Sequence, residues 1–232
     1  MTAPDLFDRF AKSSLSPDIS DATRLRLQAM ARYARVQAGD VPIIEEGSEL
    51  LVFVISGSVK LVAQASQGRE QVVAFHFAGD LLTLPVHLAH AYTLYALEDC
   101  ELVYFPASQF FKLAVTEQGM ANDILDRAMG ALARCHEKTI SLGRKNAQEK
   151  LASFLVTIAA RLGSSEDGAS VFELPMSRRD IGDSLGLTIE TVSRQFSELR
   201  ELGLLETSGR SGVRLLDPAG LEARAGHLAP AD

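Results

Sequence analysis

Residues 177–199, SRRDIGDSLGLTIETVSRQFSEL, predict two short helices joined by a tight turn. Gly182 is placed where the first helix must pass close to the second, so that a side chain there would collide. Gly186 lies in the turn, where glycine adopts a positive φ without steric cost. The apolar residues spaced to bury one face of each helix are Ile181, Leu185, Leu187, Val192 and Leu199. Together these features predict a helix-turn-helix.

The second of these helices, with Thr188 as its N-cap, is expected to present side chains that contact DNA bases. Arg194 can donate to guanine O6 and N7, and Glu190 can accept from cytosine N4. The alternative is an ion pair between these two residues on a solvated helix. The residues expected to face outward are Ile189, Glu190, Ser193, Arg194 and Gln195. We predict that the first four of them contact bases.

Other residues of this region suit the phosphate backbone of double-stranded DNA. Ser177 can cap the first helix, and Arg178 and Arg179 follow it directly. This arrangement suits a phosphate that is bound by a helix N-terminus and a guanidinium. Residues 202–217, LGLLETSGRSGVRLLD, predict a β-hairpin whose tip carries Arg210, and hence a winged helix-turn-helix. Arg210 is either a phosphate contact or a solvated loop residue. The predicted backbone contacts are Ser177, Arg178, Arg179, Thr188, Thr191 and Arg210.

The charge of the chain argues against a protein that coats nucleic acid. The formal net charge is −7, and residues 177–214 carry six arginines against six acidic residues. Such a balance favours a sequence-specific binder that places a few cations well over one that holds DNA by bulk charge.

The length of 232 residues suggests one large or two modest domains. No apolar run approaches the ~20 residues that a membrane helix needs. The N-terminus has an early acidic residue and no apolar stretch typical of a signal peptide. Two cysteines, Cys100 and Cys135, make no disulfide framework. We therefore expect a cytoplasmic protein without a membrane partner.

Upstream, residues 33–106 predict short strands with turns between them. Three long strand regions, 50–63, 70–84 and 92–106, are broken or bounded by Gly57, by Gly79-Asp80 and by Glu98-Asp99. This pattern is typical of an all-β sandwich or barrel, whose interior is a natural ligand pocket. We expect His76, on a strand, to lie in the core or at the pocket edge.

From about residue 108 to 145 the pattern becomes helical, with an apolar seam of period 3.5. The seam residues are Ala121, Leu125, Ala128, Leu132, Cys135, Thr139 and Leu142. The seam favours a homodimer, since two helix-turn-helix units then meet half-sites about 34 Å apart. The alternative is a long helix that packs on its own barrel. A further helix is expected over 147–162, followed by a polar exit loop over 163–170.

The order of β-roll, long helix and winged helix-turn-helix resembles the CRP/FNR superfamily of bacterial transcription regulators over nearly the whole chain. The stretches that carry the resemblance are SGSVKL (56–61), FHFAGDLL (75–82), GRKNAQEKLA (143–152) and DIGDSLGLTIETVSR (180–194). It implies an α+β chain with a β-roll (jelly roll) like that of cyclic-nucleotide-binding domains. The implied segments are an N-terminal extension (1–25), the β-roll (26–117), a dimerisation helix (118–145) and the winged helix-turn-helix domain (146–232).

Within the superfamily the chain is most similar to the FNR/FixK branch, whose Glu-x-x-Ser-Arg motif is matched by Glu190, Ser193 and Arg194. The cyclic-AMP receptor branch has an arginine where this chain has Ile189, whose apolar side chain can meet a thymine methyl. The resemblance implies an activator that binds a TTGA-type palindrome in genes of microaerobic respiration, nitrogen fixation or denitrification. It also implies RNA polymerase as a partner, contacted by loop residues such as Gln67, Arg69 and Glu70, each of which is otherwise a solvated turn residue.

The resemblance bears on what the β-roll senses. Cyclic-nucleotide binders of the family carry an Arg-Ser pair where this chain has His90 and Ala91, which leaves no basic group for the phosphate. Oxygen-sensing FNR proteins carry a cysteine cluster, but residues 1–32 contain no cysteine, and two cysteines cannot supply four thiolates. We expect a FixK-like regulator without a cofactor, controlled by its own synthesis. The alternative is an effector-gated regulator whose roll binds a haem, a metal (through His87 and His90) or another small ligand.

Two other classes of protein fit less well. A cupin-like metal enzyme needs a His-x-His motif with a carboxylate, and the chain has no His-x-His. A winged helix used only for protein contacts would form no sequence-selective DNA complex. We therefore predict no enzyme activity. Of the cysteines, Cys135 is expected to pack on the seam, with an intersubunit disulfide as the alternative. Glu98 and Asp99 are expected to raise the pKa of the Cys100 thiol.

Overall fold

The computed structural model describes residues 3–42, 49–64, 70–84, 91–166 and 169–226. The chain forms two compact units, Met1–Ala133 and Arg134–Asp232. The helices are α1 (Ala3–Ser14), α2 (Asp21–Met30), α3 (Ala107–Ala114), α4 (Gln118–Arg144), α5 (Ala147–Leu162), α6 (Arg178–Leu185), α7 (Ile189–Glu201) and α8 (Pro218–Arg224). The strands are β1 (Arg32–Val36), β2 (Leu50–Ser56), β3 (Ser58–Gln64), β4 (Glu70–Phe77), β5 (Leu81–Leu84), β6 (Ala91–Ala96), β7 (Cys100–Pro106), β8 (Ser164–Glu166), β9 (Ala169–Glu173), β10 (Leu205–Ser208) and β11 (Gly212–Leu215).

The first unit contains the predicted β-roll. It has a four-stranded sheet in the order β1-β7-β2-β5 and a three-stranded sheet in the order β4-β3-β6, both antiparallel. Each of the three predicted strand regions is two strands, because the chain turns at Gly57, at Gly79 and at Glu98-Asp99. No helix in the described ranges is long and apolar enough to cross a bilayer.

Strands β2 and β7 are buried on both faces, because successive side chains of a strand point to opposite sides of the sheet. Leu51, Phe53, Val103 and Phe105 belong to a core shared with the helices. The alternate residues belong to a second core between the two sheets, and they are Leu50, Val52, Val54, Leu102 and Tyr104. The interior of the roll is therefore filled largely by aliphatic side chains.

The predicted N-terminal extension is not an appendage, since α1 is part of the core of the first unit. Phe7 and Phe10 are fully buried. The ring centroid of Phe10 lies 4.5 Å from that of Phe53 and 5.2 Å from that of Phe105. Tilted and edge-on rings at these separations are a favourable arrangement of aromatic pairs.

Cys100 is buried, and the carbonyl oxygens of Ser58 (3.1 Å) and Glu98 (3.0 Å) are both within reach of its one S–H donor. Its pKa is raised, as predicted, but the main cause is burial, with the charges of Glu98 and Asp99 adding less. His76 is half-buried, with its Nδ1 3.6 Å from a carboxylate oxygen of Asp80. The predictions made for Gln67, Arg69, His87 and His90 lie outside the described residues.

The long helix α4 carries exposed apolar side chains. Of the predicted seam, Leu125 (59% exposed), Leu132 (47%) and Leu142 (37%) face outward, as do Ala128, Cys135 and Thr139, while Ala121 is half-buried. Met129 and Ile140, which were not predicted, are 57% and 51% exposed. The helix therefore presents more apolar surface than the seam alone.

In the second unit, α5 lies at its predicted position, Ala147–Leu162. The expected exit loop is different: β8 and β9 form there and extend the predicted hairpin to a four-stranded sheet in the order β10-β11-β9-β8. Ser164 to Glu166 pair with Ala169 to Val171, and this pairing satisfies the backbone of a segment whose polar composition indicated a loop.

A carboxylate ties α1 to the β-roll. Glu101 on β7 accepts hydrogen bonds from Arg9, from Ser56 (3.1 Å) and from Arg35 (3.2 Å). Burial would raise the pKa of the Glu101 carboxyl, but the hydrogen bonds from Arg9 and Ser56 and the charges of the two arginines lower it overall. The ionised form is thus stabilised by folding.

We predict that Glu101→Gln lowers the free energy of unfolding at neutral pH by about 1 kcal/mol, because the two arginines lose their anionic partner. The pKa of Glu101 is lower in the folded than in the unfolded chain, so its contribution is present above its ordinary pKa of 4.5 and is lost as the pH falls through the folded value. Urea unfolding at pH 7 and at pH 4 measures this difference. The control is Asp18→Asn, at an exposed acid. An equal effect of Glu101→Gln at both pH values would contradict the charge-based explanation.

Candidate nucleic-acid interface

The two helices α6 and α7 form the predicted helix-turn-helix. A Cβ built at Gly182 would lie 2.7 Å from the carbonyl oxygen of Leu187, so only glycine permits this approach. The amide of Leu187 donates to the carbonyl of Gly182 at 3.0 Å. Gly186 ends α6 in the left-handed region (φ 66°), and Thr188 caps α7 by accepting from the amide of Thr191 at 3.2 Å. These features were predicted from the sequence, and the structure confirms them.

Helix α7 buries Val192, Phe196 and Leu199 and leaves the opposite side open. The four residues predicted to contact bases, Ile189, Glu190, Ser193 and Arg194, are all exposed. Gln195 is a correction, since it was expected to face outward but is only 5% exposed. It lies three residues after Val192 and four before Leu199, which puts it on the buried face of the helix.

The ion pair between Glu190 and Arg194, which was the alternative to base contacts, does not form. The Nε of Arg194 lies 3.8 Å from Oε1 of Glu198, one turn further along α7. The pKa of the Glu190 carboxyl is lowered by its own backbone N–H, by the hydroxyl of Thr188 and by the charge of Arg179. Glu190 is therefore an ionised acceptor at the exposed N-terminus of α7, as pairing with a cytosine amino group requires.

Two of the predicted phosphate contacts are engaged within the protein. The amide and the hydroxyl of Ser177 both donate to Oδ2 of Asp180, at 2.9 and 2.6 Å, in a capping box. The guanidinium carbon of Arg178 lies 3.1 Å from the ring centroid of Phe196 on α7, and Nη1 is buried. Burial and the charge of Arg200 lower the pKa of Arg178 to about 10. In this conformation the amide and hydroxyl of Ser177 and the stacked guanidinium of Arg178 are engaged within the protein, so their contacts with phosphate stay predictions.

The remaining predicted backbone contacts are accessible. Arg179 at the first turn of α6, Arg210 at the hairpin tip and Thr188 are exposed, and Thr191 is half-buried. The hydroxyls of Thr188 and Thr191 lie 3.1 Å apart. Arg179 and Arg210 are thus the cations of this set whose side chains face solvent.

The last turns of α4 pack against α6, a contact that the sequence analysis missed. The ammonium of Lys138 donates to the hydroxyl of Ser184 at 3.0 Å, and burial lowers its pKa to about 8. The Cδ2 of Leu142, predicted as a seam residue, lies 3.9 Å from the Cβ position of Gly186. Lys138 carried no signal in the sequence beyond a position between seam residues.

Within the described part of the chain, no group of three or more His, Cys, Asp or Glu side chains is arranged to hold a metal ion. The exposed row on α7 and the hairpin that follows it, with its exposed Arg210, are the features on which a DNA interface can be built. They define the class of the protein as a winged helix-turn-helix DNA-binding protein.

Comparisons with known proteins place this class more narrowly. The model of the Crp-like helix-turn-helix domain matches residues 149–224, and that of the cyclic nucleotide-binding domain matches residues 34–117. The chain belongs to the CRP/FNR family of transcription regulators, in its FixK-like branch. It is a DNA-binding transcription regulator and not an enzyme.

Three similar proteins support this assignment. The nitrogen fixation regulation protein FixK of Bradyrhizobium diazoefficiens is 32% identical over 88% of this chain and 87% of its own. The transcriptional activator protein FnrA of Stutzerimonas stutzeri is 34% identical over 74% of this chain and 70% of its own. The structure of FixK2 from Bradyrhizobium japonicum has a TM-score of 0.74 at 33% identity and covers 86% of this chain and 99% of that one.

The different surroundings of the two neighbouring arginines give a test. We predict that Arg179→Gln reduces the slope of log K against log salt for DNA binding by about 0.9, the value for one lost phosphate contact. Arg178→Gln should leave this slope unchanged and lower the thermal stability instead, because it removes the stacking on Phe196. Binding titrations at four salt concentrations measure the slopes. A loss of slope for Arg178→Gln as large as that for Arg179→Gln would show that Arg178 leaves Phe196 to bind a phosphate.

Proposed function

We propose that the protein is a dimeric transcription activator that binds a TTGA-type palindrome without a small-molecule effector. The observation that carries the proposal is the exposed row Ile189, Glu190, Ser193 and Arg194 on α7, in which Glu190 is an ionised acceptor and Arg194 is an exposed donor. Because the other face of α7 is buried, this row is the side of the helix that can enter a major groove.

Three of the four residues of the row have a chemical counterpart in a TTGA half-site. The terminal nitrogens of Arg194 pair with O6 and N7 of the guanine, and Glu190 accepts from N4 of the cytosine on the complementary strand. Ile189 is 39% exposed, and its apolar side chain suits a thymine methyl. Phosphate contacts come from Arg179, Arg210 and the hydroxyls of Thr188 and Thr191.

The exposed apolar side chains of α4 support a homodimer. Leu125, Met129 and Leu132 are each about half exposed in the single chain, and they recur at intervals of three and four residues. An apolar row of this kind is stabilised when a second helix covers it. Two copies related by a two-fold axis then place two recognition helices on successive major grooves, about 34 Å apart.

The aliphatic filling of the roll supports control without a ligand. Val52, Val59 and Leu102 are fully buried between the sheets, where an effector of the family's fold would need space. The regulated genes are proposed to be those of microaerobic respiration, nitrogen fixation or denitrification, since similar proteins are named as nitrogen fixation regulators. An activator of such genes would have RNA polymerase as its second partner.

The test uses a duplex carrying TTGA-N6-TCAA and chelator-treated protein free of nucleotide. Tight binding, with a preference over TTAA-N6-TTAA, is expected. Selective binding that arises only after a haem, a metal or a nucleotide is added would replace effector-independent control by an effector-gated roll. Equal binding to both duplexes would contradict the proposed site.

We predict that Arg194→Ala lowers the preference for TTGA over TTAA by about 5- to 150-fold for each half-site, since a bidentate contact to guanine contributes ~1–3 kcal/mol. Arg200→Ala is the matched control, because it removes the same charge from the exposed face of α7. It should weaken binding to both duplexes by the same factor. If Arg194→Ala kept the wild-type preference, Arg194 would not contact the guanine.

We predict that Leu132→Glu converts the dimer to a monomer with weak operator binding, because two carboxylates would be buried in the seam. Sedimentation velocity measures the oligomeric state. Leu25→Glu, at a leucine that is 65% exposed on α2, is the control and should leave the dimer intact. A Leu132→Glu variant that sediments like the wild type would rule out this seam.

A further inference from the structure

A chain of polar contacts runs across the second unit and ends at Arg194. One oxygen of Glu198, Oε1, lies 3.8 Å from Nε of Arg194, and the other, Oε2, accepts from Nε2 of Gln148 at 3.4 Å. The amide oxygen of Gln148 accepts from Nη1 of Arg224 at 3.1 Å. Helices α5 and α8 are thereby connected through Glu198 to the side chain that we propose contacts guanine.

The side chains that make these polar contacts are fixed to different degrees. The side chain of Arg194 is 67% exposed and that of Glu198 40% exposed, so that Arg194 alone would sample many rotamers. Gln148 uses both ends of its amide, one as donor to Glu198 and one as acceptor from Arg224, which determines the orientation of the amide. Glu198 is therefore held from the side of α5, and Arg194 is held by Glu198.

The geometry also determines which donors of Arg194 stay free. The carboxylate approaches Nε, at the root of the guanidinium, and not the two terminal nitrogens. A guanine contact uses two parallel donors of the guanidinium fork. An arginine held at Nε can still present both Nη groups to O6 and N7 of a guanine.

We infer that Glu198, anchored by Gln148, is a positioning residue that orients Arg194 for guanine recognition. The inference rests on the proposed contact between Arg194 and guanine. Its physical basis is that a side chain already held in its binding geometry loses less rotamer freedom when it binds. This gain is present at a site with guanine and absent at a site where Arg194 makes no base contact, so Glu198 affects selectivity more than overall affinity.

The test compares two substitutions that remove the same charge from α7. Glu198→Gln is expected to lower the ratio of affinities for TTGA-N6-TCAA and TTAA-N6-TTAA by about threefold, the size of an exposed charge pair. Glu201→Gln is the control, at an exposed acid on the last turn of α7. Glu201→Gln should strengthen binding to both duplexes by the same factor, because it reduces the repulsion of phosphates. The ratio of the two affinities should therefore stay unchanged. An unchanged ratio for Glu198→Gln would overturn the inference.

A second variant changes the anchor without changing any charge. Gln148→Met keeps the length of the side chain and removes the hydrogen bond to Glu198, so the ratio should fall by about twofold, within the range of one such contact. A purely electrostatic effect of Glu198 on DNA predicts no change in this variant. Retention of the full wild-type ratio would show that Gln148 does not act through Glu198.

The double variant separates this inference from the proposed function. In an Arg194→Ala background, Glu198→Gln should no longer change the ratio, because there is no guanidinium to orient. A further fall in that background would mean that Glu198 acts independently of Arg194, and the inference would be wrong. If Arg194→Ala alone kept the wild-type preference, the proposed function would fail. If Arg194→Ala lost the preference and Glu198→Gln kept it, only the positioning role would fail.

Discussion

The position of the recognition helix depends on one close approach, between Gly182 of α6 and the carbonyl of Leu187. The 2.7 Å between that oxygen and a Cβ at position 182 leaves no space for a methyl group. Leu187 is followed directly by Thr188, whose side chain caps the N-terminus of α7. Because the first turn of α7 carries Glu190, any displacement at this crossing moves the exposed row of α7 as a whole. In the proposed DNA complex, Gly182 therefore acts through the backbone and not through a contact of its own.

Most of this site was predictable because its signals are local. Glycines with positive φ or close contacts, hydroxyl caps and apolar residues at helical spacing each constrain a few neighbouring residues. The side-chain partners could not be predicted in the same way. Arg178 stacks on Phe196, and Glu198 is held by Gln148, because α6 and α5 pack against α7, and the sequence does not state those distances. Gln195 lies at the margin of the apolar face, where a shift of one position decides its burial.

Outside this site, too, the features with local sequence signals were predictable and those that depend on long-range packing were not. The long strands and α5 have strong periodic patterns and lie close to the predicted ranges. The strands β8 and β9 are short; β9 pairs with the edge of β11 that β10 leaves open, and β8 pairs with β9. Helix α1 was predicted as an extension, since its aromatic residues gain their partners only from Phe53 and Phe105, far along the chain. Contacts between residues far apart in the sequence decide whether such elements form, and a local sequence pattern carries no information about those contacts.

The charges of the second unit explain how an acidic chain can be a selective DNA binder. Acids on the DNA-facing helix repel phosphates of every sequence alike, which weakens nonspecific binding throughout a genome. In the proposed complex, Glu190 offsets this repulsion only where a cytosine amino group donates to its ionised carboxylate. Glu198 offsets it, on the role proposed here, only where Arg194 meets a guanine. Because the biologically relevant quantity is the ratio of specific to nonspecific affinity, a formally neutral helix-turn-helix with well-placed acids discriminates better than one with a larger positive charge.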